Sequence, residues 1–265
     1  MTGEKQDGER QIGRTIISVG GADRRGFLQG LVTNDVDRLD DGLVYAALLT
    51  PQGKYLADFF LVPDGERILI DVATPLAADL FKRLRMYKLR ADVALEEAAD
   101  LAVFRGLGTP PEGAWPDPRD ASLGWRRYGP AEASGHRAGV DWDALRVAAC
   151  VPESGVELVP GETFILEAGF DRLGGVDFRK GCYVGQEVTA RMRHKTQLRK
   201  GLATVTVEGD AAPGTEIRAE DGRPAGTLHT VAGGRAIAYL RFDRATGPME
   251  AGAARVTWSP RTEDA

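Results

Sequence analysis

The chain has 265 residues, 43% hydrophobic and 28% charged, with a formal net charge of −5; that is room for one large domain or two to three smaller ones, in the composition of a soluble globular protein. No run approaches the roughly 20 apolar residues that cross a bilayer, and an acidic balance speaks against nucleic acid, whose phosphates need clustered cations, so neither membrane nor nucleic acid is expected as a partner. The polar start "MTGEKQDGERQ" lacks a signal-peptide core, and Cys150 and Cys182 form neither a disulfide framework nor a CxxC pair, which together predict a cytoplasmic location.

In chain order, "RTIISVGG" reads as a strand ending in glycines, and "ADRRGFLQGLV" as a short helix capped by Asp23 with Phe27, Leu28 and Leu31 on one face. "LVYAALLT" and "KYLADFFLV" flank Pro51-Gln52-Gly53 as a hairpin, and "ERILIDVA" adds a strand. "TPLAADLFKRLRMYKLR" predicts a helix, with Thr74 as cap, Pro75 at its first position and Leu76, Leu80, Leu84 and Tyr87 on one stripe. "ADVALEEA" follows as a strand. Residues 106–136, rich in Gly, Pro and Trp, predict loop-dominated structure in which Trp115 and Trp125 need somewhere to pack. "DWDALRVAACVPE" reads as a capped helix stopped before Pro152, with Cys150 a core residue at its apolar end. From Gly201 short alternating strands with Gly-rich turns predict a small barrel or sandwich. The expected class is α+β in three parts: 1–105, a second α+β part at 106–200, and a C-terminal β-barrel at 201–265.

Among chemistry-bearing patterns there is no P-loop, HExxH or Gly-x-Ser-x-Gly elbow, and three scattered histidines, His136, His194 and His229, predict no stable metal site. Two stretches stand out. In "RKGCYVGQE" Cys182 precedes a short helix, "GQEVTARMR", in which Glu187 and Arg191 are an i,i+4 pair. Arg179 and Lys180 lie just before the cysteine, and cations and a helix N-terminus favour thiolate. A tight Gly-Cys-Tyr turn that wants a small side chain accounts for the cysteine as well. In "FILEAGF" Glu167 follows three apolar residues; it is either a surface position or a placed carboxylate, whose natural partner is a flat heterocycle with two parallel N–H donors, such as a pterin. The basic run "RMRHKTQLRK", 191–200, reads as a solvated loop or as a patch for an anionic ligand tail or acidic partner.

The string "RKGCYVGQEVTAR" resembles the K-G-C-[FY]-x-G-Q-E signature of the YgfZ-type folate-binding proteins, which include a mitochondrial iron–sulfur assembly factor. "GFLQGLVTNDV" and "ALLTPQGKYLADFFLV" resemble blocks shared with the glycine-cleavage T-protein, an aminomethyltransferase. The resemblance implies three domains around a central opening that binds tetrahydrofolate, and a folate-dependent accessory role in assembly or repair of iron–sulfur proteins, with folate, those proteins or their assembly machinery as partners. It carries over Cys182 as reactive thiol or transient ligand, with Lys180, Gly181, Gly185, Gln186, Glu187 and Arg191 completing the signature. Glu167 matches the carboxylate that holds the pterin, and Thr33, Asn34, Asp35 and Tyr183 border the folate. The T-protein has an Asp-Asp pair where this chain has Ala57 and Asp58, so the transferase acid is expected to be lost at Ala57. A folate-dependent one-carbon transferase is the alternative function. A docking scaffold that uses Arg193 and Lys195 is a second.

Overall fold

A computed structural model describes residues 8–133, 135, 139–194 and 198–260. The chain divides into two compact units, Met1–Val140 with Phe170–Ala190, and Asp141–Gly169 with Arg191–Ala265. His136 and Lys195, both singled out in the sequence, lie outside the described residues.

The first unit is built from β1 (Glu9–Arg10), β2 (Arg14–Gly20), α1 (Arg24–Gln29), β3 (Val44–Leu49), β4 (Tyr55–Asp64), β5 (Arg67–Ala73), α2 (Thr74–Lys88), β6 (Ala94–Glu97), β7 (Leu101–Gly106), β8 (Ala114–Pro116) and β9 (Trp125–Pro130). Five strands form an antiparallel sheet in the order β3-β4-β5-β2-β6, and four form a second in the order β1-β7-β9-β8. Side chains alternate across a strand, and the larger sheet is covered on both faces. On one face Ile17, Val19, Leu48, Phe59, Leu61 and Ile70 share a core with Leu28 of α1 and Leu80 and Leu84 of α2. On the other face Tyr45, Asp58, Phe60 and Asp71 are buried, and the second sheet brings Arg126 and Tyr128 to them. The Arg126 guanidinium lies 4.1 Å from the Phe60 ring centroid and donates to Asp71 Oδ2 at 2.7 Å. This second face explains why a carboxylate interrupts the apolar run "RILIDVA": Asp71 accepts Arg14 Nε at 2.6 Å and the Tyr128 hydroxyl at 2.9 Å as well.

Several local expectations change. Residues 106–136 contain β8 and β9, and Trp125 is a buried side chain of the second sheet. Cross-strand pairing with β7 supplied what local propensity lacked. Asp23 stands at the N-cap of α1 but accepts the backbone N–H of Asp92 at 2.8 Å and makes no capping bond. Thr74 is the first helical residue of α2, and its hydroxyl lies 2.9 Å from that of Thr15 on β2, so it does not cap. Leu80 and Leu84 are buried as the stripe predicts, whereas Tyr87 faces solvent near the helix end.

The second unit contains α3 (Trp142–Ala149) and six strands, β10 (Lys200–Glu208), β11 (Glu216–Ala219), β12 (Pro224–Ala232), β13 (Arg235–Arg241), β14 (Met249–Ala251) and β15 (Ala254–Thr257). Asp141 caps α3 by accepting the Ala144 N–H at 2.9 Å, and buried Cys150, at φ 53°, ends it. The strands close into a barrel in the order β10-β13-β12-β11-β14-β15, which leaves no sheet edge exposed. Its interior is small and aliphatic, with Val205, Leu228, Ala236, Ala238, Leu240 and Val256 among its buried residues. Arg146 of α3 donates to Glu157 Oε2 at 3.0 Å, and Glu157 Oε1 accepts the Thr230 hydroxyl of β12 at 2.7 Å. The α+β class with a C-terminal barrel is the fold the sequence patterns predict. In chain order a long irregular segment runs between α3 and the barrel, with Phe170–Ala190 in the first unit, and α4 (Gln186–His194) is its only helix among the described residues.

Candidate functional site

The signature loop is held by residues remote in sequence. Lys180 is 8% exposed, and its ammonium donates to the backbone oxygens of Gln29 at 2.8 Å, Val32 at 2.6 Å and Asn34 at 3.0 Å. Three donors meet three acceptors where α1 ends, a position that favours a cation. Burial pushes this ammonium down to about 8, against the carboxylates of Asp35 and Asp177, which hold it up. The Tyr183 ring lies 5.1 Å from the same nitrogen, and burial raises its hydroxyl.

Thr33 and Asn34 fasten the chain just before the signature. Thr33 Oγ1 donates to Gly175 O at 2.7 Å and accepts the Ala47 N–H at 2.8 Å. Asn34 Nδ2 donates to Gly174 O at 2.6 Å and to Tyr45 O at 2.8 Å, and its Oδ1 accepts the Asp35 N–H. Asp35 in turn accepts from Asp37 N and Gln29 Nε2. These polar groups are engaged with the protein itself.

Gly185 is required twice over. Its φ is +84°, and a Cβ there would stand 2.6 Å from the Thr50 oxygen and 2.9 Å from Leu49 Cβ. Gly53, in the hairpin turn between β3 and β4, faces the same approach, since its own Cβ would meet Val188 of α4 at 2.8 Å. The signature therefore turns into α4 directly over the hairpin. Gly181 shows no such constraint: a Cβ there meets nothing within 4 Å. Gln186 opens α4.

Between these anchors Cys182 is exposed. It precedes α4, as predicted. Lys180 directs its protons to carbonyls, and Arg179 is largely exposed, its Nε 3.9 Å from Asp177 Oδ1. Glu187 and Arg191 are both exposed, and no ion pair joins them among the described residues. In open solvent such a pair gains little over hydration.

Glu167 lies in the second unit. Its side chain is largely buried; Oε2 accepts the Tyr239 hydroxyl of β13 at 2.6 Å, and Oε1 stands 3.7 Å from Lys200 Nζ. Its backbone oxygen accepts the Leu202 N–H at 2.7 Å, tying it to the first barrel strand. Burial and the adjacent carboxylate raise the Tyr239 hydroxyl far above its usual value, which keeps it a donor. An ionised carboxylate has about four acceptor positions, so Glu167 can still accept N–H donors of a ligand.

Ala57 and Asp58 face opposite sides of β4. The β3–β4 register shifts between Leu48, opposite Ala57, and Leu49, opposite Tyr55. The irregularity puts Ala57 in the core with the helices and lets Tyr55 and Asp58 share the other face. Asp58 there accepts hydroxyls from Tyr55 at 2.7 Å and Tyr45 at 2.9 Å. Position 57 looks into hydrocarbon, so an acid at that position would have no polar partner there. The carboxylate in a polar setting is Asp58.

Residues 199–262 match the family described as CAF17, C-terminal beta-barrel domain. The mitochondrial iron–sulfur cluster assembly factor IBA57 of Homo sapiens is 31% identical over 280 residues, covering 91% of this chain and 79% of the human one. The chain belongs to the IBA57 family. The Mus musculus factor is 30% identical at the same coverage, and the Pyricularia oryzae homolog is 34% identical over 76% of this chain and 57% of its own. The chain thus spans little more than half of that fungal relative. A solved structure, the glycine cleavage system aminomethyltransferase T of Bartonella henselae, matches with a TM-score of 0.72 over 93% of this chain and 83% of that one, at 16% identity. That likeness is one of fold, and it is the T-protein-like fold expected from the sequence blocks.

The predicted cytoplasmic location is overturned by the family, since these relatives are mitochondrial proteins. It rested on a polar start and two unpaired cysteines. Free thiols indicate a reducing environment and do not choose between compartments that share one.

Sequence reasoning missed Asp58 as a buried group, the Tyr239 partner of Glu167, and the Arg126–Asp71 pair. Asp71 had a local signal, a single acid inside an apolar strand. Tyr239 had none, because its contact joins positions 72 residues apart.

Proposed function

We propose that this chain is a tetrahydrofolate-binding accessory factor of the YgfZ type, which serves the assembly or repair of iron–sulfur proteins. Membership of the IBA57 family supports the iron–sulfur part, and the single structural observation that carries the reading is an exposed Cys182 on a firmly anchored loop. Such a thiol is available to a partner protein as a reactive group or a transient ligand, and its anchors hold it in place. Glu167 supports the folate part: a largely buried carboxylate, oriented by Tyr239, suits the paired N–H donors of a pterin. A bound folate would supply one-carbon chemistry, and Glu167 would orient it. Thr33 and Asn34 act in this reading as the frame that holds the signature segment.

The test is Cys182→Ser in cells that depend on the protein. Cluster-enzyme activity should fall while the protein's amount and melting temperature stay unchanged; full activity would exclude the thiol role. Calorimetric titration with tetrahydrofolate tests the second part. Glu167→Ala should weaken binding by about 1.5–3 kcal/mol, the range for a hydrogen bond to a charged group, and an unchanged affinity would remove Glu167 from the folate site.

A further inference from the structure

The end of α2 presents an apolar surface that the described residues leave uncovered. Met86 is 62% exposed, Tyr87 38% and Leu89 87%, three large apolar side chains within four positions. Leu89 also takes φ 46° and ψ −107°, a region that glycine enters freely and leucine only under strain. Glycine is the usual residue just past a helix end. Leucine here costs backbone strain and holds an aliphatic side chain in water, and that double cost points to a use for the side chain.

Cations surround the patch. Residues 78–90 contain Lys82, Arg83, Arg85, Lys88 and Arg90 against one acid, Asp79, a local excess of four positive charges on a chain whose net charge is −5. Asp79 binds Arg83 at 2.6 Å. Lys82, Arg85, Lys88 and Arg90 join no ion pair among the described residues. Ala78, Phe81, Lys82, Arg85 and Met86 line a shallow depression along the same helix, so apolar and cationic positions interleave.

An almost fully exposed leucine is a knob, and the surface complementary to a knob ringed by cations is a soft apolar layer under negative charge. We propose that this end of α2 is a contact site for an anionic membrane surface: Leu89, Met86 and Tyr87 enter the acyl boundary, while Lys82, Arg85, Lys88 and Arg90 meet the headgroups. No helix among the described residues is long and apolar enough to cross a membrane. Surface binding needs none, and the expectation of no membrane partner rested only on the lack of a spanning run.

The test uses the full chain and sedimentation with vesicles of phosphatidylcholine alone or mixed with phosphatidylglycerol. Binding is expected only with the anionic lipid, falling as salt rises from about 0.05 to 0.5 M. Leu89→Gly, which relieves the strained backbone and should fold at least as well, is expected to lose about tenfold or more in vesicle affinity. Arg85→Glu with Arg90→Glu is expected to abolish binding, with the circular dichroism of the parent. Three results would overturn the proposal: no binding to anionic vesicles at low salt, undiminished binding by both variants, or a dimer that Leu89→Gly dissociates, which would make the face a contact between copies. A fourth is protection of Met86 from oxidation by a Glu-rich amphipathic peptide in a chain that ignores vesicles, which would make it a protein-docking face.

Discussion

Lys180 places a buried ammonium against the oxygens of Gln29, Val32 and Asn34, so its loss strands three carbonyls at once. Lys180→Met should cost at least about 1–3 kcal/mol, the penalty for a buried polar group left unmade. Urea unfolding followed by tyrosine fluorescence would measure it, and a midpoint equal to that of the parent would refute the anchoring role. In the sequence Lys180 reads as a cation beside a cysteine, and in the structure its ammonium protons go to three backbone oxygens. Residue type was legible, but direction was not, because the acceptors lie 146 to 151 positions away. The same holds for the pair Ala57 and Asp58. Their identities were plain, yet which of them faces hydrocarbon was fixed by the register shift between β3 and β4.

At the scale of elements, the hairpin of β3 and β4 and the start of α4 meet glycine to glycine. Gly185→Ala would drive a methyl to 2.6 Å from the Thr50 oxygen at a φ of +84°. A loss of about 1–3 kcal/mol is expected from backbone strain alone. Faster alkylation of Cys182 by iodoacetamide should accompany it, as the loop loosens. An unaltered alkylation rate in a folded variant would mean that the hairpin does not hold the loop. Elements whose pattern is local, such as α2 and the hairpin, could be recognised from spacing and turn residues. β8 and β9 could not, since strands of three and six residues in a Gly- and Pro-rich stretch depend on their partner for stability.

For the whole molecule, the two units carry different acid sensitivities. In the second, burial pushes His229 below its usual value, and Glu157 offsets this only in part. A depressed histidine takes its proton sooner in the unfolded chain, so stability falls as pH drops below about 6.5, the unfolded value. His229→Gln should flatten that slope in urea melts taken from pH 7.5 to 5; an unchanged slope would assign it to other groups. In the first unit burial raises Asp71, but Arg14 and Arg126 outweigh it and hold the carboxyl below its usual range. Its contribution is complete above the unfolded value near 4 and disappears as pH falls through the lower folded one.

The sequence by itself determined the α+β class, the C-terminal barrel, the helix before which Cys182 sits and the contiguous string that resembles a folate-binding signature. Each depends on periodicity, turn chemistry or a contiguous motif, all properties of neighbouring residues. Only the tertiary structure decided that Lys180 anchors the loop, that Tyr239 orients Glu167, that Asp58 rather than position 57 meets polar groups, and that Leu89 stands in solvent. Those outcomes turn on which distant backbone or side chain arrives opposite a residue, and a one-residue shift in a strand reverses the answer.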